Sequence, residues 1–93
     1  MSGREARGRV KRYLVLTLRR ADFDPAMIEP HYAHLAELRR RGLLELAGPF
    51  SDRSGGAYLL RADSLDTARD IAWADPLHVS GSSEVRVYEW NAE

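Results

Sequence analysis

The alternation of apolar and polar residues predicts four strands and two helices in the order βαββαβ. The run 13–18 (Tyr-Leu-Val-Leu-Thr-Leu) is apolar and rich in β-forming residues, which predicts a strand buried on both faces. Apolar segments at 43–50 and 57–61 predict the second and third strands, and the alternation over 85–90 predicts the last. This order is typical of the ferredoxin-like α+β fold, in which a four-stranded antiparallel sheet carries both helices on one face.

Both predicted helices carry recognisable start and stop signals. Asp24-Pro25 places an N-cap residue before a proline at the first helical position, and Gly42 ends that helix. Ser64 caps the second helix, which must end near Asp75-Pro76 because the residue before a proline avoids helical angles. Apolar residues at helical spacing in both segments predict that each helix packs one side onto the sheet.

Composition and charge narrow the class of protein. The 93 residues make one domain with a modest core, and 14 basic residues balance 14 acidic ones, which argues against nucleic acid as a partner. The chain has no cysteine and no apolar run long enough to span a membrane, so we expect a cytoplasmic protein without thiol chemistry. Residues 1–11 form a basic segment, predicted to be a flexible tail before a single domain at 12–93, with an electrostatic arm as the alternative.

Two polar residues stand where a site is predicted. His34 borders the apolar stripe of the first helix, so its imidazole is partly desolvated and favours the neutral form that accepts a proton. Asp75 lies at a helix C-terminus, where the helix dipole disfavours a carboxylate unless a partner compensates it. Together they predict a catalytic pair, with His34 as base and Asp75 as its orienting acid. The alternative is structural: His34 bonds backbone, and Asp75 caps a short turn toward His78.

Other polar residues are candidates for substrate contacts. His31 lies one helical turn before His34, and Ser54-Gly55-Gly56 offers a hydroxyl and backbone amides, so we assign substrate binding to His31, Ser54 and Gly55. The simpler interpretation of Gly55-Gly56 is the start of a strand. The three histidines and Asp75 raise the question of a metal site, but no His-Glu-x-x-His pattern supports one, and no cofactor is expected.

Several short motifs in order give the chain a family resemblance. They are His34-Leu35 followed by Gly42, then Gly48-Pro49, Gly55-Gly56, Asp75-Pro76 and Gly81. The chain resembles the YCII family over about residues 13–90. The resemblance implies a ferredoxin-like fold that pairs into a dimeric α+β barrel, and a His/Asp active site carried here by His34 and Asp75. Many members have Arg where this chain has His31, and Ala47 departs from the related DGPF-type pattern.

These observations leave the function open between two classes. The first is an enzyme that uses a general base for lyase, isomerase or elimination chemistry on a small metabolite. The second is a noncatalytic module that binds a small ligand or regulates a partner through the same cleft. An RNA-binding domain is disfavoured because no aromatic-rich strand of the RNP type is present. In either class we expect a homodimer, because a sheet with helices on one face leaves its other face to be covered.

Overall fold

Four antiparallel strands form one sheet in the order β2-β3-β1-β4, which confirms the predicted ferredoxin-like topology. The structure is a computed structural model that describes residues 10–93. The elements are β1 (Lys11–Arg19), a 3-10 turn (Pro25–Met27), α1 (Ile28–Arg40), β2 (Leu44–Pro49), β3 (Gly55–Ala62), α2 (Leu65–Trp73), α3 (Pro76–Val79) and β4 (Ser83–Trp90). The tail predicted over 1–11 lies outside the described residues except for Val10 and Lys11, and Lys11 already belongs to β1.

The two faces of β1 divide the molecule into a packed side and an open side. Tyr13 and Val15 are fully buried, and Thr17 continues their face toward the end of the strand. They belong to one core with residues from both helices and from β3: Leu35, Leu38, Ala68, Ala72, Tyr58 and Leu60. Both helices therefore pack on the same face of the sheet, as the apolar stripes predict. The opposite face has no covering element within residues 10–93.

Side chains cap the starts of the helical segments at the predicted residues. Asp24 Oδ1 accepts a hydrogen bond of 2.9 Å from the Ala26 N–H, which starts the 3-10 turn before α1. Ser64 Oγ accepts one of 3.1 Å from the Thr67 N–H at the start of α2. Gly42 follows α1 with φ +75°, the left-handed conformation that ends a helix at little cost for glycine. Within residues 10–93, none of the helices has the length and apolarity that crossing a membrane requires.

Two glycines bring the start of β3 into close contact with both neighbouring strands. A β-carbon at Gly55 would lie 1.9 Å from the Thr17 carbonyl oxygen, and one at Gly56 would lie 2.7 Å from the Gly48 carbonyl oxygen. Neither position tolerates a side chain without moving backbone. Gly56 pairs with Thr17, and this pair lies on the helix-facing side of the sheet. Because Gly56 has no side chain, this end of the sheet has free space beneath α1.

Candidate functional site

A fully buried carboxylate joins three elements at the end of α2. Asp75 Oδ2 lies 2.8 Å from His31 Nδ1, and Oδ1 lies 3.0 Å from the same nitrogen. The Tyr58 hydroxyl donates to Oδ2 at 3.0 Å, and the Leu77 N–H donates to Oδ1 at 2.9 Å. Both carboxylate oxygens are thus acceptors from donors on α1, β3 and α3. A buried carboxylate is stable only with such a complete set of partners.

The same hydrogen bonds assign the proton on His31. The two oxygens of Asp75 accept hydrogen bonds from Tyr58 and Leu77. Nδ1 of His31 lies within hydrogen-bond distance of the same two oxygens, so the ring hydrogen is assigned to Nδ1. Burial, reinforced by the charge of Asp75, raises the pKa of Tyr58 far above its ordinary value, so its hydroxyl stays protonated and donates. His31 Nε2 has no hydrogen bond to residues 10–93 and keeps its lone pair. The arrangement leaves one imidazole nitrogen able to accept a proton.

Local sequence explains why Asp75 lies where it does. The residue has extended backbone angles (φ −61°, ψ 130°), as a residue before proline requires, and Pro76 opens α3. Its side chain caps α3 through the Leu77 N–H. The interpretation of Asp75 as an N-cap is therefore confirmed. The capping role does not exclude the histidine contact, because a carboxylate has enough lone pairs for both.

The predicted hydrogen bond between His34 and Asp75 is wrong, since the histidine that contacts Asp75 is His31. His34 instead donates from Nε2 to the Ile71 carbonyl oxygen at 3.2 Å, the backbone contact named as its structural alternative. The helices run antiparallel, so one turn forward along α1, from His31 to His34, is matched by one turn back along α2, from Asp75 to Ile71. This arrangement places His31, one turn before His34, against Asp75.

His31 lies at a small cavity beneath the N-terminal end of α1. The cavity holds about 50 Å³ and is bordered by backbone at Gly55 and Gly56 and by the aromatic rings of Phe23 and Tyr32. Of the three predicted substrate contacts, His31 and Gly55 border this cavity. Ser54 does not: its hydroxyl donates to Asp52 Oδ1 at 2.7 Å, on the exposed turn before β3. The turn uses that hydroxyl for its own hydrogen bond, which is why the residue is not part of the cavity wall.

The three histidines take different partners. His31 bonds Asp75 and His34 bonds the Ile71 carbonyl, while His78 Nδ1 bonds the Trp73 carbonyl oxygen at 3.1 Å and its ring stacks on Trp73. Among residues 10–93, no group of three or more histidine, cysteine or acidic side chains is placed to hold a metal ion.

Tyr58 was not predicted to belong to the site, although the sequence carries a signal for it. Tyr58 alternates with Gly56 and Leu60 along β3 and therefore points to the core. The hydroxyl of a tyrosine in a core usually takes a hydrogen-bond partner, and buried partners are scarce in so small a domain. The acceptor for the Tyr58 hydroxyl is Asp75. In the sequence, Asp75 is otherwise marked only by its position before a proline.

Comparison with known proteins identifies the family of this chain and a solved structure of similar fold. The model of the YCII-related domain matches residues 12–91. The uncharacterized protein YjpA of Bacillus subtilis (strain 168) is 47% identical over 78 residues, which are 84% of this chain and 92% of that protein. The structure of 5-chloro-2-hydroxyhydroquinone dehydrochlorinase (TftG) from Burkholderia phenoliruptrix AC1100, in complex with 2,5-dihydroxybenzoquinone, superposes with a TM-score of 0.69 at 22% identity, covering 88% of this chain and 95% of that one. The chain belongs to the YCII family.

Proposed function

We propose that this protein is an enzyme in which His31 takes a proton from a small organic substrate, in an elimination or isomerisation. The observation that carries the proposal is the His31–Asp75 pair beside a cavity. Asp75 is buried behind the imidazole and does not border the cavity, so it is a positioning residue. His31 borders the cavity and has Nε2 without a partner in the described chain. A histidine held in one tautomer by a carboxylate is the usual arrangement of a general base.

The chemistry follows from the assigned hydrogens. Nε2 of His31 accepts the substrate proton, and the positive charge that develops on the ring is stabilised by the Asp75 carboxylate through Nδ1–H. In an elimination, the electron pair left on the substrate forms a new π bond while the leaving group departs with its own bonding pair. The imidazolium then returns its proton to water. Loss of hydrogen chloride, the reaction named for the TftG dehydrochlorinase, is an elimination of this kind and supports the proposal.

Histidine variants test which ring is the base. We expect His31→Gln to lower turnover about 10²–10⁴-fold, the range that a general base contributes. We expect His78→Gln to leave turnover unchanged, since His78 is exposed and bonds only the Trp73 carbonyl. The assay measures chloride release from 5-chloro-2-hydroxyhydroquinone, kept reduced without oxygen, and from a panel of small acids that carry a leaving group.

Two outcomes of this assay would contradict the proposal. If His34→Gln abolishes turnover while His31→Gln retains it, the base is His34, as the sequence predicts. If no member of the panel is turned over but ligands bind in the cavity, the protein is a noncatalytic binding module.

We also propose that the open face of the sheet is covered by a second copy of the chain. This face carries large apolar side chains with high exposure: Leu46 at 67%, Tyr88 at 48% and Trp90 at 48%. Leu14 pairs with Tyr88 across β1 and β4, so the exposed residues continue into an apolar strip along the sheet. An apolar sheet face of this kind is buried in a stable protein, and a two-fold dimer covers it with an identical face.

A charge on this face is expected to separate the two copies. Leu46→Glu places a carboxylate on the edge strand β2, at one end of the apolar strip, where pairing would bury it without a partner. We therefore expect light scattering to change from the mass of two chains to that of one. Val79→Glu is the matched control, because Val79 is 73% exposed but lies on α3, on the helix side of the sheet. A wild-type chain that is monomeric at micromolar concentration would contradict the proposed dimer.

A further inference from the structure

The cavity beside His31 has one permanently charged side chain among the described residues that border it, Arg19. Arg19 ends β1 on the same face as Thr17, so it lies on the helix side of the sheet. Its guanidinium carbon is 4.2 Å from the centre of the Phe23 ring. A ring contact of this type holds the guanidinium plane and leaves the N–H groups at its edge available as donors.

Arg19 is an arginine without an acidic partner in the part of the chain that the structure describes. Half of the ten arginines in residues 10–93 make ion pairs with carboxylates, namely Arg12, Arg40, Arg61, Arg69 and Arg86. No carboxylate in residues 10–93 lies within ion-pair distance of Arg19. A guanidinium at the wall of a cavity, fixed by an aromatic ring and without an acidic partner there, is suited to bind an anion from solution.

Ser83 supplies a second, independent observation. It pairs with Arg19 across β1 and β4, so the two side chains lie on the same face and are neighbours. Ser83 also borders the cavity and is 1% exposed, yet its Oγ has no hydrogen-bond partner within the described chain. A buried hydroxyl without a partner is unfavourable and needs an acceptor to complete it. A bound anion next to Arg19 would provide that acceptor.

We propose that Arg19 and Ser83 form an anion subsite that binds a carboxylate of the substrate, with the reacting carbon next to His31. The inference rests on the proposed function for the role of His31, but the subsite itself does not require turnover. A carboxylate fits because its two oxygens match the paired N–H donors of a guanidinium and also accept from a hydroxyl. The rings of Phe23 and Tyr32 and the backbone of Gly56 border the same cavity.

Matched pairs of acid and amide test the subsite. The probes are benzoate against benzamide and propionate against propionamide, titrated by NMR while the Arg19 Nε–H signal is followed. We expect at least one carboxylate to bind ten times or more tightly than its amide. Arg19→Gln should remove that preference, and Ser83→Ala should weaken carboxylate binding three- to tenfold. Arg20→Gln is the charge-matched control and should leave binding unchanged, because Arg20 does not border the cavity.

Several results would overturn the subsite. One is equal binding of each acid and its amide, and another is no binding of either carboxylate. A third is an equal loss of carboxylate affinity in Arg19→Gln and Arg20→Gln, which would indicate a general charge effect.

The test also separates this inference from the proposed function. His31→Gln should keep the preference for carboxylate over amide while it loses turnover. If carboxylates bind as expected and nothing is turned over, the subsite stands and the enzyme proposal fails. If neutral substrates are turned over and Arg19→Gln leaves their turnover unchanged, the enzyme proposal stands and the subsite fails.

Discussion

Replacing Asp75 with asparagine is expected to lower turnover by about 10²–10⁴-fold while the chain still folds. The amide keeps the oxygen that accepts from the Leu77 N–H, so the cap of α3 remains. Its NH₂ group now faces His31 Nδ1, which becomes the acceptor. The ring hydrogen then moves to Nε2, and the nitrogen that should take the substrate proton no longer has a lone pair. The turnover assay measures the loss, and long-range ¹⁵N spectra of the imidazole measure the change of tautomer.

An alanine variant shows whether the effect of Asp75→Asn is specific to the imidazole tautomer. Asp75→Ala removes the acceptor for His31, Tyr58 and Leu77 together, so we expect it to unfold the protein or to destabilise it strongly. Asp75→Asn should instead keep a cooperative unfolding transition. If the asparagine variant folds, keeps the wild-type tautomer and turns over normally, the carboxylate does not orient the base.

Replacing Gly55 with alanine is expected to lower the free energy of unfolding by about 3 kcal/mol. The added β-carbon would lie 1.9 Å from the Thr17 carbonyl oxygen, and φ is +155°, in the range that favours glycine. Relief requires β1 and β3 to separate where Leu18 pairs with Gly55, at the centre of the sheet. Urea denaturation followed by fluorescence measures the change.

Gly48→Ala is the matched control for this prediction. Gly48 lies in β2, beside the same end of β3, and a β-carbon there has no neighbouring atom within 4 Å. We expect it to change the free energy of unfolding by less than about 0.5 kcal/mol. Equal urea midpoints for the two variants would show that the close approach of β1 to β3 does not constrain the fold.

The fold was predictable because the relevant signals are local. The caps at Asp24 and Ser64, the stop at Gly42 and the alternation in the strands each involve residues a few positions apart. Their order then allows few topologies, since consecutive elements pack as neighbours. The short helix α3 followed from the same type of signal, an Asp-Pro pair.

The site was only partly predictable because its contacts join distant parts of the chain. Asp75 and a histidine of α1 were recognised from their chemistry, but two histidines lie one turn apart on that helix. Which of them meets Asp75 depends on how far α1 slides along α2, a distance that packing of many side chains decides. Arg19 and Ser83 were missed for a similar reason: their proximity follows from the register of β1 with β4, 64 positions apart along the chain.

The contacts of Asp75 also link the proposed base to complete folding of the chain. Its bond to His31 spans 44 residues and its bond to Tyr58 spans 17, so both loops must close before the imidazole is fixed. Closing such loops is entropically costly and is repaid only by the packed native state. In an incompletely folded copy the His31 ring therefore lacks the Asp75 carboxylate that fixes its orientation. If His31 is the base, as we propose, loss of the native contacts between the sheet and the helices also removes the activity.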